Sequence, residues 1–202
     1  MRPQLVIGNK NYSSWSLQPW LVARHTVIEF GGVRIVLYTS EGTTRFQQLS
    51  PSSKASVWRE CEFAVWDSLA ICEHLAEQAP TLCPVDSIVC AVVCSASAEV
   101  HSGFTTLHTY MTMNARAQGR QMPTTPEFAT EIDRIEAIWT DCRGGLDVGE
   151  SWLFGAFSTA DSMSAPIALR FVPHGGRRFG VVDDYVATLM ADLAPASQDR
   201  RC

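Results

Sequence analysis

The sequence predicts an α/β unit joined to an all-helical one. Two patterns carry the prediction. Short β-branched or alternating runs interleave with amphipathic helical stretches up to about residue 80, and no convincing strand follows. The α/β part is placed at 1–80 and the helical bundle at 87–202, with Pro80 and Pro84 breaking the pattern between them.

The elements follow in order. Gln4 to Gly8 reads as a short buried strand, and Gly8 to Ser14 as polar loop. Trp15, Leu17, Trp20, Leu21, Val22 and Ala23 crowd one side of a 3.6-residue repeat, which predicts a helix. Ser13, Ser14 and Ser16 are its entry residues, and Pro19 is placed in its first turn, where a missing N–H is tolerated. Gly31-Gly32 reads as a turn into a second strand, Val33 to Tyr38, completing a right-handed parallel βαβ unit. Residues 42–49 make one or two helical turns, and Ser50 to Ser53 a turn. Ser56 to Trp58 and Glu62 to Val65 form a hairpin through Arg59 to Cys61. Asp67 N-caps an amphipathic helix that runs to Gln78. The order βαβ then ββα is thioredoxin-like.

Beyond residue 80, helices are predicted over 87–116, 126–142 and 158–171, with a last one over Val181 to Leu193. Ser158-Thr159-Ala160-Asp161 opens the third of the four as a Ser-x-x-acid capping box. A glycine- and arginine-rich stretch, Pro173 to Gly180, interrupts the pattern before the last helix.

Composition narrows the function. A chain of 202 residues with 46% hydrophobic content forms a core, and a net charge of −5 offers nothing to phosphate backbones or anionic lipid. The apolar run Leu5 to Ile7 is too short for a signal peptide, and no stretch reaches membrane-spanning length, so a soluble cytoplasmic protein is expected. Seven cysteines without a CxxC pair support neither a disulfide framework nor a zinc ribbon. They read as reduced thiols, buried or on the surface. Cys94, His101 and His108 recur every seven residues, which marks a helix face rather than a metal site, and no metal is expected.

Three stretches together resemble the cytosolic glutathione S-transferase family, in a bacterial branch with a zeta-like serine motif. They are Asn11 to Ser16, Val65 to Ile71, and Trp152 to Gly155 followed by Phe157 to Asp161. Residues 101–116 also resemble a helix of one bacterial branch. The resemblance implies an enzyme that binds glutathione as co-substrate on the thioredoxin-like part and an apolar electrophile on the helical part. It also implies a homodimer and a role in detoxification. By motif order the catalytic serine is Ser13, with Ser14 the near alternative. Trp15 stands where zeta-like members carry a cysteine, which disfavours thiol exchange. Lys54, Ala55, Ser56, Asp67 and Ser68 fall on the glutathione-binding positions, and Phe104, His108 and Met111 on the second-substrate pocket.

The chemistry suits those residue types. A free thiol with a pKa of about 8.5 is roughly 3% ionised at pH 7, and a depression of about two units makes it about three-quarters thiolate. A hydroxyl donating to the sulfur at the positive end of a helix supplies part of that shift. A serine before a helix is equally an ordinary N-cap, and so is Asp67, whose resemblance-implied role is to hold the γ-glutamyl end. The sequence departs from the family in the run Ser50 to Ser56. Ser53 replaces a glycine and Ser56 the cis-proline, which leaves the peptide before Ser56 free to be trans; a trans peptide there would weaken or remove the Ala55 backbone clamp.

Overall fold

A computed structural model describes residues 2–114, 116–144, 151–174 and 181–196. Four strands, β1 (Gln4–Ile7), β2 (Gly31–Arg34), β3 (Val57–Glu60) and β4 (Phe63–Trp66), make one sheet in the order β2-β1-β3-β4. β1 runs parallel to β2, with Val6 opposite Val33, while β1–β3 and β3–β4 are antiparallel. With α1 (Ser14–Arg24), α2 (Ser40–Leu49) and α3 (Ser68–Gln78), this is the thioredoxin-like βαβ–ββα unit.

The burial of β1 explains its sequence. Leu5, Val6 and Ile7 are all fully buried because both faces of the sheet are covered. Leu5 and Ile7 join Trp20, Leu21, Ile71 and Leu75 of α1 and α3 in the main core. Val6, Ile35, Phe46 and Val57 form a smaller cluster beneath α2. Thr39 Oγ1 caps α2 by accepting from Gly42 N–H at 3.0 Å. Gly42 is required there, since a Cβ would overlap the Val36 carbonyl oxygen.

The helical half comprises α4 (Ser87–Ser102), α5 (Thr105–Tyr110), α6 (Pro126–Gly144), α7 (Thr159–His174) and α8 (Val181–Ala196). α7 runs through its middle and packs on α1 as well as on α4. The crossing is pinned by two hydrogen bonds: Ser162 Oγ donates to the Gln18 carbonyl at 3.0 Å, and Gln18 Nε2 donates to the Met163 carbonyl at 3.3 Å. One continuous core therefore spans both halves.

Several expectations are corrected. Pro19 lies inside α1 rather than in its first turn. The Gly31-Gly32 pair belongs to β2 itself, which ends at Arg34, and the chain has turned away by Leu37-Tyr38. β2 is an edge strand, which tolerates glycine because only one neighbour needs its backbone. The helix expected over 87–116 stops at Ser102. Gly103 leaves the helix, Phe104 takes a left-handed φ of 57°, and α5 starts afresh. The thiols are not all free, because Cys83 and Cys90 form a disulfide between the 3₁₀ turn Pro80–Leu82 and α4, while Cys61, Cys72, Cys94 and Cys142 remain thiols. Gly175 to Gly180 of the predicted break, and Cys202, lie outside the described residues.

Among the described residues, no helix is long and apolar enough to cross a membrane, and no three metal-type side chains stand together to hold an ion.

Candidate active site

Ser13 occupies the N-cap position of α1, yet its side chain caps nothing. Its Oγ lies 2.9 Å from Ser16 Oγ, which in turn accepts from Gly8 N–H at 2.9 Å. Gly8 directly follows β1 and Ser16 is the third residue of α1, so the strand-to-helix turn itself assembles the pair. With the Gly8 amide fixed as donor to Ser16, a Ser16 proton donated to Ser13 Oγ leaves the Ser13 proton free to point elsewhere.

Ser13 opens onto a cleft of about 300 Å³ whose walls include Trp15, Leu37, Tyr38, Lys54 and Ala55. Of the sequence candidates, Ser13, Lys54 and Ala55 are thus brought together. The Ala55–Ser56 peptide is cis. Ser56 is buried behind the cleft, and its Oγ donates to the Trp15 carbonyl at 3.0 Å.

Ser14 faces the other way. Its Oγ accepts from Arg170 Nη2 at 2.7 Å and lies 4.0 Å from Met113 Sδ.

Asp67 and Ser68 sit at the α3 N-terminus. Asp67 Oδ1 accepts from Leu69 N–H at 2.9 Å and Ala70 N–H at 3.4 Å, so it does cap the helix. Its Oδ2 lies 3.3 Å from His101 Nε2 of α4. Ser68 Oγ is buried without a hydrogen-bond partner among the described residues, an orphan that a polar ligand group would satisfy. The Trp15 ring links the two regions, with its centroid 5.1 Å from the His101 ring and 6.1 Å from the His108 ring.

Phe104 and Met111 are core side chains and do not border the Ser13 cleft. His108 is half-buried. Burial, helped by the nearby Arg170 charge, pushes its pKa down to about 4, so it is neutral at pH 7.

Two residues of this region escaped sequence reasoning as functional groups, Ser16 and Arg170. Ser16 reads only as a helix-entry residue. Arg170 had a visible signal, being the lone base in the otherwise neutral run Ser162 to Pro173.

No protein-family model matches this chain, and no curated protein matches it. Solved structures do. A Burkholderia glutathione transferase homolog with bound glutathione is 19% identical, with 98% of this chain and 95% of that one covered at a TM-score of 0.72. An unclassified glutathione S-transferase from Bombyx mori is 16% identical, with 100% and 94% covered at 0.72. The theta-class enzyme of Xanthomonas axonopodis pv. citri, with glutathione bound, is 21% identical, with 97% and 95% covered at 0.66. At 16 to 21% identity these likenesses rest on the path of the chain, which follows 94 to 95% of their length: the protein has the glutathione transferase fold.

Proposed function

We propose that the protein binds glutathione in the Ser13 cleft and conjugates it to an apolar electrophile. The observation that carries this reading is the Ser13 hydroxyl at the N-terminus of α1, which caps no helix amide, paired with Ser16 and opening onto one cleft with Lys54 and Ala55. In this scheme Ser16 donates to Ser13, Ser13 donates to the glutathione sulfur, and the helix terminus favours the anion. The thiol proton leaves to solvent, the thiolate pair forms the C–S bond, and the leaving group departs with the electrons of the bond it breaks. Lys54 meets the glycyl carboxylate, the Ala55 backbone the cysteinyl unit, and Asp67 with Ser68 the γ-glutamyl end. His108 takes its place in the second-substrate pocket, with Phe104 and Met111 forming the apolar layer beneath it.

A cytoplasmic, detoxifying homodimer is part of the same proposal. The apolar side chains exposed on β4 and α4, Phe63, Trp66, Ile88 and Val92, support the dimer.

One observation favours a second reading, a catalytically impaired relative that binds a ligand or a protein as a dimer. The Asp67 carboxylate is already engaged by two backbone amides and His101, so glutathione has to compete for it.

Calorimetric titration with glutathione, beside a Ser13→Ala variant, separates them. Binding by both proteins, with conjugation of a model electrophile lost by about a hundredfold or more only in the variant, is the expected result. Folded wild-type protein that takes up no glutathione at several times a typical millimolar cellular level sinks the first reading and leaves the second.

A further inference from the structure

Arg170 is 5% exposed, on α7, surrounded by core side chains. Its guanidinium donates in three directions: Nε to the Met111 carbonyl at 2.8 Å, Nη1 to the Pro166 carbonyl at 2.9 Å and Nη2 to Ser14 Oγ at 2.7 Å. All three acceptors are neutral. Among the described residues no carboxylate pairs with it.

Burial draws its pKa down to about 10, which still leaves it charged at neutral pH. A desolvated cation without a counter-ion is a cost that folds rarely accept. The titratable groups around it do not offset it. His108, on α5, is neutral at pH 7. His174, one turn along α7, meets Arg170 through the backbone, with Nδ1 2.7 Å from its carbonyl. Glu131, on α6, spends its carboxylate on the amides of Thr106 and Leu107 at 3.0 and 2.7 Å.

The position of the charge gives it a use. Ser14, which Arg170 holds, is the first residue of α1 and the chain neighbour of Ser13. A full positive charge and the positive end of a helix dipole therefore converge behind the hydroxyl that opens onto the cleft. Both are oriented before any ligand arrives, and an anion at Ser13 is what would relieve them.

We infer that Arg170 is a positioning residue that holds a thiol bound at Ser13 in its ionised form, acting by its buried charge through Ser14 and the start of α1. The inference rests on the glutathione reading of the Ser13 cleft. A purely structural arginine would tie α1, the end of α5 and α7 together and leave the thiol alone.

The test is the pH titration of the bound thiol, followed by thiolate ultraviolet absorbance, in wild type, Arg170→Lys and Arg170→Gln. Arg170→Gln removes the charge and keeps an amide donor. It should raise the apparent thiol pKa by about one unit, which takes a thiol about three-quarters ionised at pH 7 down to about one-quarter, while Arg170→Lys keeps most of the depression. Binding of S-methylglutathione, which has no thiol to ionise, should be the same in all three proteins. If Arg170→Gln fails to fold, nitrogen NMR of the Arg170 Nε in the unmutated protein reads the same coupling from the other side. Its resonance should move with glutathione and not with S-methylglutathione.

Glutathione bound with the same thiol pKa in wild type and Arg170→Gln, or identical Nε shifts with both ligands, overturns the inference and leaves the cleft reading standing. Failure of wild type to bind either ligand overturns both.

Discussion

Pro19 has no amide hydrogen for the Trp15 carbonyl four residues before it, and the hydroxyl of Ser56 supplies the missing donor at 3.0 Å. The serine that departs from the family's proline thus has a task that proline, with no hydroxyl to donate, would not perform. Losing that bond should cost about 1 kcal/mol, because the acceptor sits against a buried neighbour. Ser56→Ala should lower the denaturation midpoint accordingly. In a Pro19→Ala background the helix provides its own N–H to Trp15, so the same Ser56→Ala change should cost markedly less. A four-protein urea cycle checks this, and strictly additive costs would show that the Ser56 hydroxyl stabilises the fold by some other route. Nothing in the local pattern at residue 19 or residue 56 shows the pairing, because it joins an α1 carbonyl to a residue 41 positions away.

Elements were legible where their own side chains explain them. The 3.6-residue repeat placed α1, α3, α6 and α7, and the short runs Ser56 to Trp58 and Glu62 to Val65 placed the hairpin, because each contributes apolar side chains of its own to the core. The expected 87–116 helix failed for a physical reason. Phe104 offers no capping side chain, and the amides of Thr106 and Leu107 are satisfied by Glu131 from α6. A cap supplied by another helix leaves no signature in the segment it starts. The same division holds at the site: Ser13 was legible as a helix entry, whereas the Arg170–Ser14 contact spans 156 positions and was not.

The Ser158–Asp161 box was legible and proves deeper than a surface cap. Asp161 is fully buried and accepts from Ser158 N–H at 2.8 Å, Ser158 Oγ at 2.8 Å and Leu153 N–H at 3.0 Å. Burial raises its pKa and those three bonds hold it back. Asp161→Ala orphans all three donors and should cost about 3 to 5 kcal/mol, enough to unfold the chain at moderate temperature. Asp161→Asn, which keeps an acceptor, should cost clearly less. Thermal melts followed by circular dichroism compare the two, and equal losses would mean that the carboxylate's charge, not its accepting geometry, is what the turn uses.

At the scale of the whole molecule the two halves are held at both ends of the chain. α1 follows the first strand and α8 closes the described chain, and Asp192 of α8 joins them. Arg24 Nη2 donates to Asp192 Oδ1 at 2.6 Å and to the Asp192 carbonyl at 2.8 Å, while His25 Nε2 lies 3.2 Å from both carboxylate oxygens. His25 is itself stacked on Phe157 with centroids 3.6 Å apart, so the clasp also touches the segment before α7. Burial alone would raise the Asp192 carboxyl, but His25 and Arg24 outweigh it and hold the pKa below its usual value. The sign follows from linkage. A carboxyl depressed in the folded state adds stability above its unfolded pKa of about 3.9, and that contribution is lost as pH falls through the lower folded value. The pair is partly open to solvent, so screening limits the contribution to about 1 kcal/mol. Asp192→Asn should therefore lower stability by about that amount at neutral pH, and the gap between wild type and variant should close below about pH 4. Chemical denaturation across an acid pH series measures both curves. A gap of constant size down to about pH 3 would assign the clasp to its hydrogen-bond geometry rather than to charge, since only the charged contribution is removed by protonating Asp192.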